Sequence, residues 1–248
     1  MLVKGPIAMH GSQARALVAE DRRRSIHFWQ DRFRDPALSV LLVLEIGLIF
    51  VAAPLAAKGL PAARPIIETI LLAVVVIVGF LSHRRIANAA ILLGVAANLA
   101  GRWIGSEWSL TAAAVLHRGG DILMFAALTW VVSDAVYAPG RITFHRLQGA
   151  AVLYLNAAIM FAAAFSLIWG LNPDAFAIPR AAAGDLGELA TMLYFSLATL
   201  TTTGYGDIVP IDPFARSLAN LESVIGAFYL AITVARLVTL ELEDRRHR

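Results

Sequence analysis

The chain contains no cysteine, so neither disulfides nor thiolate metal sites enter its chemistry. Charge is scarce as well. Asp, Glu, Lys and Arg make up 16% of the 248 residues, against about 25% in soluble domains. His83, His117 and His145 stand apart from one another and from any nucleophile. No metal-ligand spacing and no phosphate-binding glycine loop occurs, so catalysis has no visible foothold. Repeats and low-complexity runs are missing too. The opening stretch MLVKGPIAMHGSQARALVAEDRRR lacks a long apolar core, so no cleavable leader is expected.

What is present is apolar: 58% of the residues are hydrophobic, which places the chain in membranes before any motif is read. A spanning helix needs about 20 mainly apolar residues. Six candidates occur, at 37–57, 65–82, 86–101, 121–137, 147–171 and 214–242. A further apolar stretch at 109–116 is too short to span. Gly119–Gly120 separates it from the fourth candidate, so it either extends that helix past a kink or lies at the interface. The formal net charge is +3, too small to argue for nucleic acid, and the arginines flank the apolar runs. Of the 21 Lys and Arg, 14 fall before the first span, in the 2–3 and 4–5 loops and in the tail, and 6 fall on the other side. That excess puts both termini in the cytoplasm of a multi-pass cell-membrane protein. Residues 12–35 read as a basic amphipathic helix, with Ile26, Phe28, Trp29 and Phe33 available to a membrane surface.

Three regions follow: a cytoplasmic basic N-terminal segment over 1–35, a four-helix membrane domain over 36–138, and a last domain over 139–248. In the last domain, NPDAFAIPRAAAGD carries two prolines and reads as a loop. Asp185 followed by Glu188 resembles a capping box. A helix over 186–200 would run roughly 22 Å, too short to cross the membrane and return. Its C-terminal carbonyls, carrying about half a negative charge, would sit at membrane depth. Directly after it comes TTTGYGD, residues 201–207. Non-helical backbone at that depth must be buried in protein or line a water-filled cavity. Gly204 and Gly206 open backbone angles that let successive carbonyls face one way.

TTTGYGD in this slot resembles the signature of the tetrameric potassium channels, with a two-helix pore module last in the chain. The resemblance implies an all-α integral membrane fold of six transmembrane helices, a re-entrant pore helix (186–200) and a filter loop (202–206), between an outer helix (147–171) and an inner helix (214–242). It implies a homotetramer in lipid, because one chain supplies one filter strand. It also implies passive conduction of K+. The ion would be held by the backbone carbonyls of Thr202, Thr203, Gly204 and Tyr205 and by the Thr202 hydroxyl. No organic cofactor is implied.

By the same resemblance Gly206 closes the strand, Asp207 marks its outer end, and Tyr205 braces against Tyr194 and Phe195. Many relatives have two tryptophans at that last pair. Some also carry a carboxylate at the position of Ala198 to partner the aspartate. Gly226 is where the family places an inner-helix hinge, with close packing as the alternative. Leu230, Ala231, Val234 and Val238 fall on one helical face and are expected to line the cavity. Glu222 either bonds to the back of the filter or reaches the interface.

A voltage sensor needs arginines at every third position of the fourth helix, and 121–137 has none, so voltage dependence is expected to be weak or absent. Glu45, Glu68, Asn88, Asn98, His117 and Asn156 are polar positions within or beside the spans. Glu68, Arg102, Arg118 and Asp121 share one side. They are read as interface-level solvation, as structural pairs, or as a ligand or pH sensor together with His117. The tail after Leu242, EDRRHR, leaves no room for a large cytoplasmic ligand-binding domain, so the sequence names no gating ligand. The short linker 138–146 favours a front domain packed on its own pore module. A weakly selective cation channel, and a membrane sensor or enzyme built on a channel-like fold, are the alternative functions.

Overall fold

The structure is a computed structural model that describes residues 38–57, 69, 72–79, 85–104, 110–137, 144–178 and 188–246. The N-terminal segment, Glu68, Asp185 and most of the linker at 138–146 lie outside the described residues. Among the described residues seven helices carry the fold: α1 (38–57), α2 (72–79), α3 (Arg85–Ile104), α4 (Leu110–Val136), α5 (Phe144–Leu171), α6 (Glu188–Leu200) and α7 (Pro213–Arg246). The segments Leu38–Leu55, Thr111–Asp134, Arg146–Leu171 and Pro213–Arg236 are long and apolar enough to cross a membrane. Of the two other expected spans, the first is described only at 69 and 72–79. The second is helical over Arg85–Ile104, but its apolar part, Arg85–Gly101, is shorter than the other four.

Leu38, Leu41, Glu45, Ile49 and Ala52 are buried at helical spacing along one face of α1. The helix widens into a π-turn at Leu48–Ala52, where the Ala53 N–H bonds back to the Leu48 carbonyl. The widening lies directly before Pro54, whose ring and missing N–H interrupt the α-helical ladder.

The helix α4 runs unbroken for 27 residues through Gly119–Gly120, so the 109–116 stretch extends it from residue 110 on. Gly120 is there for packing. A Cβ on it would lie 2.6 Å from the Asn98 nitrogen and the Gly94 carbonyl, and one on Gly101 would lie 2.6 Å from the His117 nitrogen. Small residues let α3 and α4 meet backbone to backbone, as membrane helices do. In turn, α4 packs along α5 of the same chain. Gly149 receives Val136 there, and the Asn156 amide donates to the Phe125 carbonyl (2.9 Å) and to Thr129 Oγ1 (2.5 Å). Leu128, Val132, Val152 and Ile159 fill the seam.

After α5, Asn172 caps a 3₁₀ turn at Pro173–Ala175, and β1 (Phe176–Ala177) pairs antiparallel with β2 (Val209–Pro210). This short ladder ties the end of α5 to the chain entering α7. Asp212 then caps α7, its Oδ1 accepting from the N–H groups of Phe214 (2.8 Å) and Ala215 (3.1 Å), with Pro213 at the first helical position. Apart from the buried Glu222 and Gly226, α7 presents Leu221, Val224, Phe228, Ile232 and Val234 uncovered on the surface of the single chain.

Candidate functional site

The helix α6 has 13 residues and spans about 20 Å, well short of a hydrocarbon core of about 30 Å. Its core side is set by an aromatic triangle. Phe195 meets Phe165 edge-on at 5.0 Å and Phe176 at 5.7 Å, and Phe165 meets Phe176 at 5.9 Å. Phe195, expected beside Tyr205, is therefore turned into the core of its own subunit.

The last four carbonyls of a helix have no partner within it, and here each one finds a donor. Leu197 O accepts from the Thr201 N–H and hydroxyl (3.0 and 2.7 Å). Ala198 O accepts from the N–H groups of Thr203 (2.8 Å) and Gly204 (3.0 Å). Thr199 O accepts from the Thr202 N–H and the Ser223 hydroxyl (3.0 and 3.3 Å), and Leu200 O from the Tyr154 hydroxyl (3.1 Å). The amides of Thr201 to Gly204 thus point back at α6.

The backbone of that strand alternates in handedness. Thr202 (φ 56°), Gly204 (φ 56°) and Gly206 (φ 78°) are left-handed, and the residues between them have negative φ. In an ordinary strand successive carbonyls face opposite ways. Reversing the sign of φ at every second residue can turn alternate peptide planes over, which would bring successive carbonyls to one edge. For Thr202 this conformation costs about 1–2 kcal/mol, and such strain persists only where surrounding contacts over-determine it. Among the described residues no hydrogen-bond donor meets the carbonyls of Thr202, Thr203, Gly204 or Tyr205. Residues 201–207 are all exposed on the single chain, Tyr205 by 69%.

The strand is held at its far end by Tyr194, whose hydrogen bond to Asp207 the residue pattern does not reveal. Tyr194 stacks flat on Tyr205, with centroids 5.8 Å apart and planes at 6°, and its hydroxyl donates to Asp207 Oδ2 at 2.9 Å. Asp207 Oδ1 also accepts from the Ile208 N–H (3.0 Å). Ala198 leaves the aspartate without the carboxylate partner that some channels supply. Tyr194, one helical turn earlier on the same face, supplies a hydroxyl instead.

Behind the strand, Glu222 is fully buried, and one of its carboxyl oxygens lies against the Ser196 hydroxyl, which also lies 2.8 Å from Ala158 O. Gly226 is buried against the end of α6. A Cβ there would sit 2.2 Å from Leu200 O, and α7 passes through it without a break. In this conformation it serves close packing, the alternative to a hinge. Leu230, Ala231 and Val234 are exposed along α7, with Val238 about one turn further on. At the far end Arg236 donates to the Tyr137 carbonyl (2.7 Å) and lies 4.8 Å over the Tyr137 ring. In the front half, Asp121 accepts from the Asn98 amide and pairs with Arg118 at 3.6 Å, and Arg118 lies 3.5 Å from His117. Asn98, Arg118 and Asp121, all among the expected polar residues, therefore pair structurally, with His117 beside Arg118. Glu45 is buried with both oxygens unpartnered among the described residues.

Residues 150–242 match the ion channel family Ion_trans_2, a span that covers most of α5, all of α6 with the strand after it, and most of α7. The chain is 35% identical over 66 residues to the inward rectifier potassium channel Kirbac3.1 of Paramagnetospirillum magnetotacticum, covering 24% of this chain and 22% of that protein. It is 37% identical over 51 residues to the potassium voltage-gated channel protein shk-1 of Caenorhabditis elegans, covering 21% and 10%. It is 28% identical over 118 residues to protein LctB of Geobacillus stearothermophilus, covering 47% and 87%. The chain thus spans less than a quarter of the length of the first two relatives. No solved structure matches it. Together with four helices able to cross a membrane, these similarities support a multi-pass membrane protein that carries an ion channel domain.

Proposed function

We propose that the chain is one subunit of a homotetrameric, potassium-selective channel of the cell membrane, with both termini cytoplasmic. Four copies of Thr202–Tyr205 would surround one axis. Their carbonyls and the Thr202 hydroxyls would replace the water around K+ and let it pass down its gradient without chemistry. The observation that carries this reading is the alternating backbone of residues 202, 204 and 206 at the end of a half-length helix. It would collect unpartnered carbonyls on one edge, next to the negative end of the α6 dipole. The uncovered face of α7 is what a subunit waiting for neighbours presents: Phe228 is 63% exposed on the single chain. The packing of α4 on α5 within one chain favours a front domain that stays with its own pore module. Without a ladder of arginines in α4, opening would not follow voltage steeply.

The test is cation flux from liposomes holding the purified protein. Rapid K+ flux that Na+ does not support, and that is lost in Gly206→Ala while the assembly survives, is the expected result. Equal Na+ flux would favour the weakly selective channel. No flux with an intact assembly would favour a sensor or enzyme on a channel-like fold.

A further inference from the structure

The contact between Glu222 and Ser196 raises a question of proton inventory. The Ser196 hydroxyl has two close oxygen neighbours, Ala158 O of α5 and a carboxyl oxygen of Glu222 on α7. A hydroxyl owns one proton. Ala158 O is a carbonyl and can only accept. An ionised Glu222 could only accept as well, so one of the two short oxygen pairs would then have no hydrogen between its atoms. Both are satisfied when Glu222 carries the missing proton: Glu222 donates to Ser196, and Ser196 donates to Ala158 O.

The surroundings agree. Glu222 is fully buried, its second carboxyl oxygen has no partner, and among the described residues no basic group lies within ion-pair distance. An unpaired buried charge is strongly disfavoured, and a carboxyl in that position takes up a proton instead. From α5 the titratable neighbour is Tyr154, whose hydroxyl is given to Leu200 O. From α6 the facing groups are Ser196 and Thr199, neither of which titrates. On α7 itself Arg216 and Arg236 lie about 9 Å and 21 Å away along the axis.

We propose that Glu222 is kept as an un-ionised carboxylic acid and serves as a positioning residue for the TTTGYGD strand, fastening α7 to α6 and α5 through one relay of two protons. The relay has a consequence one turn away. Ser223, next to Glu222, donates to Thr199 O, and Thr199 O also accepts the amide of Thr202, the first left-handed residue of the strand. Holding Glu222 in place therefore holds the turn on which the strand's handedness begins. The clamp is complete while Glu222 is protonated and is lost as rising pH removes its proton. Only the flux readout below rests on the channel reading; the infrared readout does not.

The experiment compares the infrared spectrum and K+ flux of the assembled wild-type protein with those of Glu222→Gln and Ser196→Ala. Glutamine keeps the shape and a neutral donor but cannot ionise. Wild type is expected to show an un-ionised carboxylic acid band at neutral pH that is missing from Glu222→Gln. Its flux is expected to fall several-fold at alkaline pH, whereas Glu222→Gln conducts as well at neutral pH and keeps its flux in alkali. Should Glu222→Gln fail to assemble, Ser196→Ala is expected to shift the acid band, because the proton loses its acceptor. A Glu222→Gln spectrum identical to wild type, or an acid band unmoved by Ser196→Ala, overturns the proposal. So does an alkaline fall that is the same in Glu222→Gln. Absence of flux from every protein, with the Glu222 band present, refutes the channel reading and leaves the un-ionised acid standing.

Discussion

Replacing Gly226 with alanine separates two roles that glycine can play in α7. If the residue served only to let the helix bend, alanine would stabilise the protein by about 0.5–1 kcal/mol, because glycine is the poorer helix former. The packing argues for the opposite sign. The added methyl would sit 2.2 Å from Leu200 O and 3.1 Å from Leu200 C, both backbone atoms that cannot turn aside. A carbon–oxygen contact of this kind relaxes to about 3.3–3.6 Å, so α7 must retreat by about 1 Å. Overpacking of this kind costs about 1–3 kcal/mol. The retreat also weakens the Ser223–Thr199 bond, worth about 1 kcal/mol. The propensity gain offsets part of this, leaving a net loss of roughly 1–3 kcal/mol per subunit. The assay is thermal unfolding of the detergent-solubilised assembly together with K+ flux from liposomes. Gly226→Ala is expected to unfold at lower temperature and to conduct less. An unchanged or higher unfolding temperature would refute the packing argument and favour the hinge.

Three further outcomes follow from the same geometry. Tyr194→Phe keeps the stack on Tyr205 but removes the hydroxyl from Asp207, a loss of about 1 kcal/mol. Flux through this variant is expected to decay faster on sustained activity with its preference for K+ over Na+ intact, and a steady flux would contradict this. Gly120→Ala places a methyl 2.6 Å from the Asn98 nitrogen and is expected to destabilise the front domain by about 1–3 kcal/mol, read as a lowered unfolding temperature with selectivity unchanged. Current through reconstituted protein is expected to vary little with membrane potential, since α4 has no arginine ladder to collect the roughly 2.3 kcal/mol that each charge gains per 100 mV; a steeply voltage-dependent open probability would contradict it.

The parts legible in the sequence are those with a local physical cause. Apolar runs give away α1, α4, α5 and α7 because a bilayer accepts little else. Gly204 and Gly206 advertise left-handed backbone because glycine alone adopts it freely. The same logic hides Thr202. Threonine disfavours positive φ, and hydrogen bonds from the strand to Thr199 and Ala198 hold it there. Gly119–Gly120 reads as a break from sequence. Its actual use depends on where Gly94 and Asn98 of another helix arrive, which no local pattern encodes. The β1–β2 pairing involves two residues on each side, too few for any periodicity to show. The Tyr194–Asp207 bond and the burial of Phe195 depend on which face α6 turns to the core, and that is set by Phe165 and Phe176.

The most direct measurement is a density map of the purified assembly in a potassium-containing membrane mimic. The account expects four subunits with their Thr202–Tyr205 strands around one axis, carbonyls inward, and a column of ion density between them that changes when Na+ replaces K+. A monomer, or an assembly in which those strands lie apart and face bulk water, would contradict it.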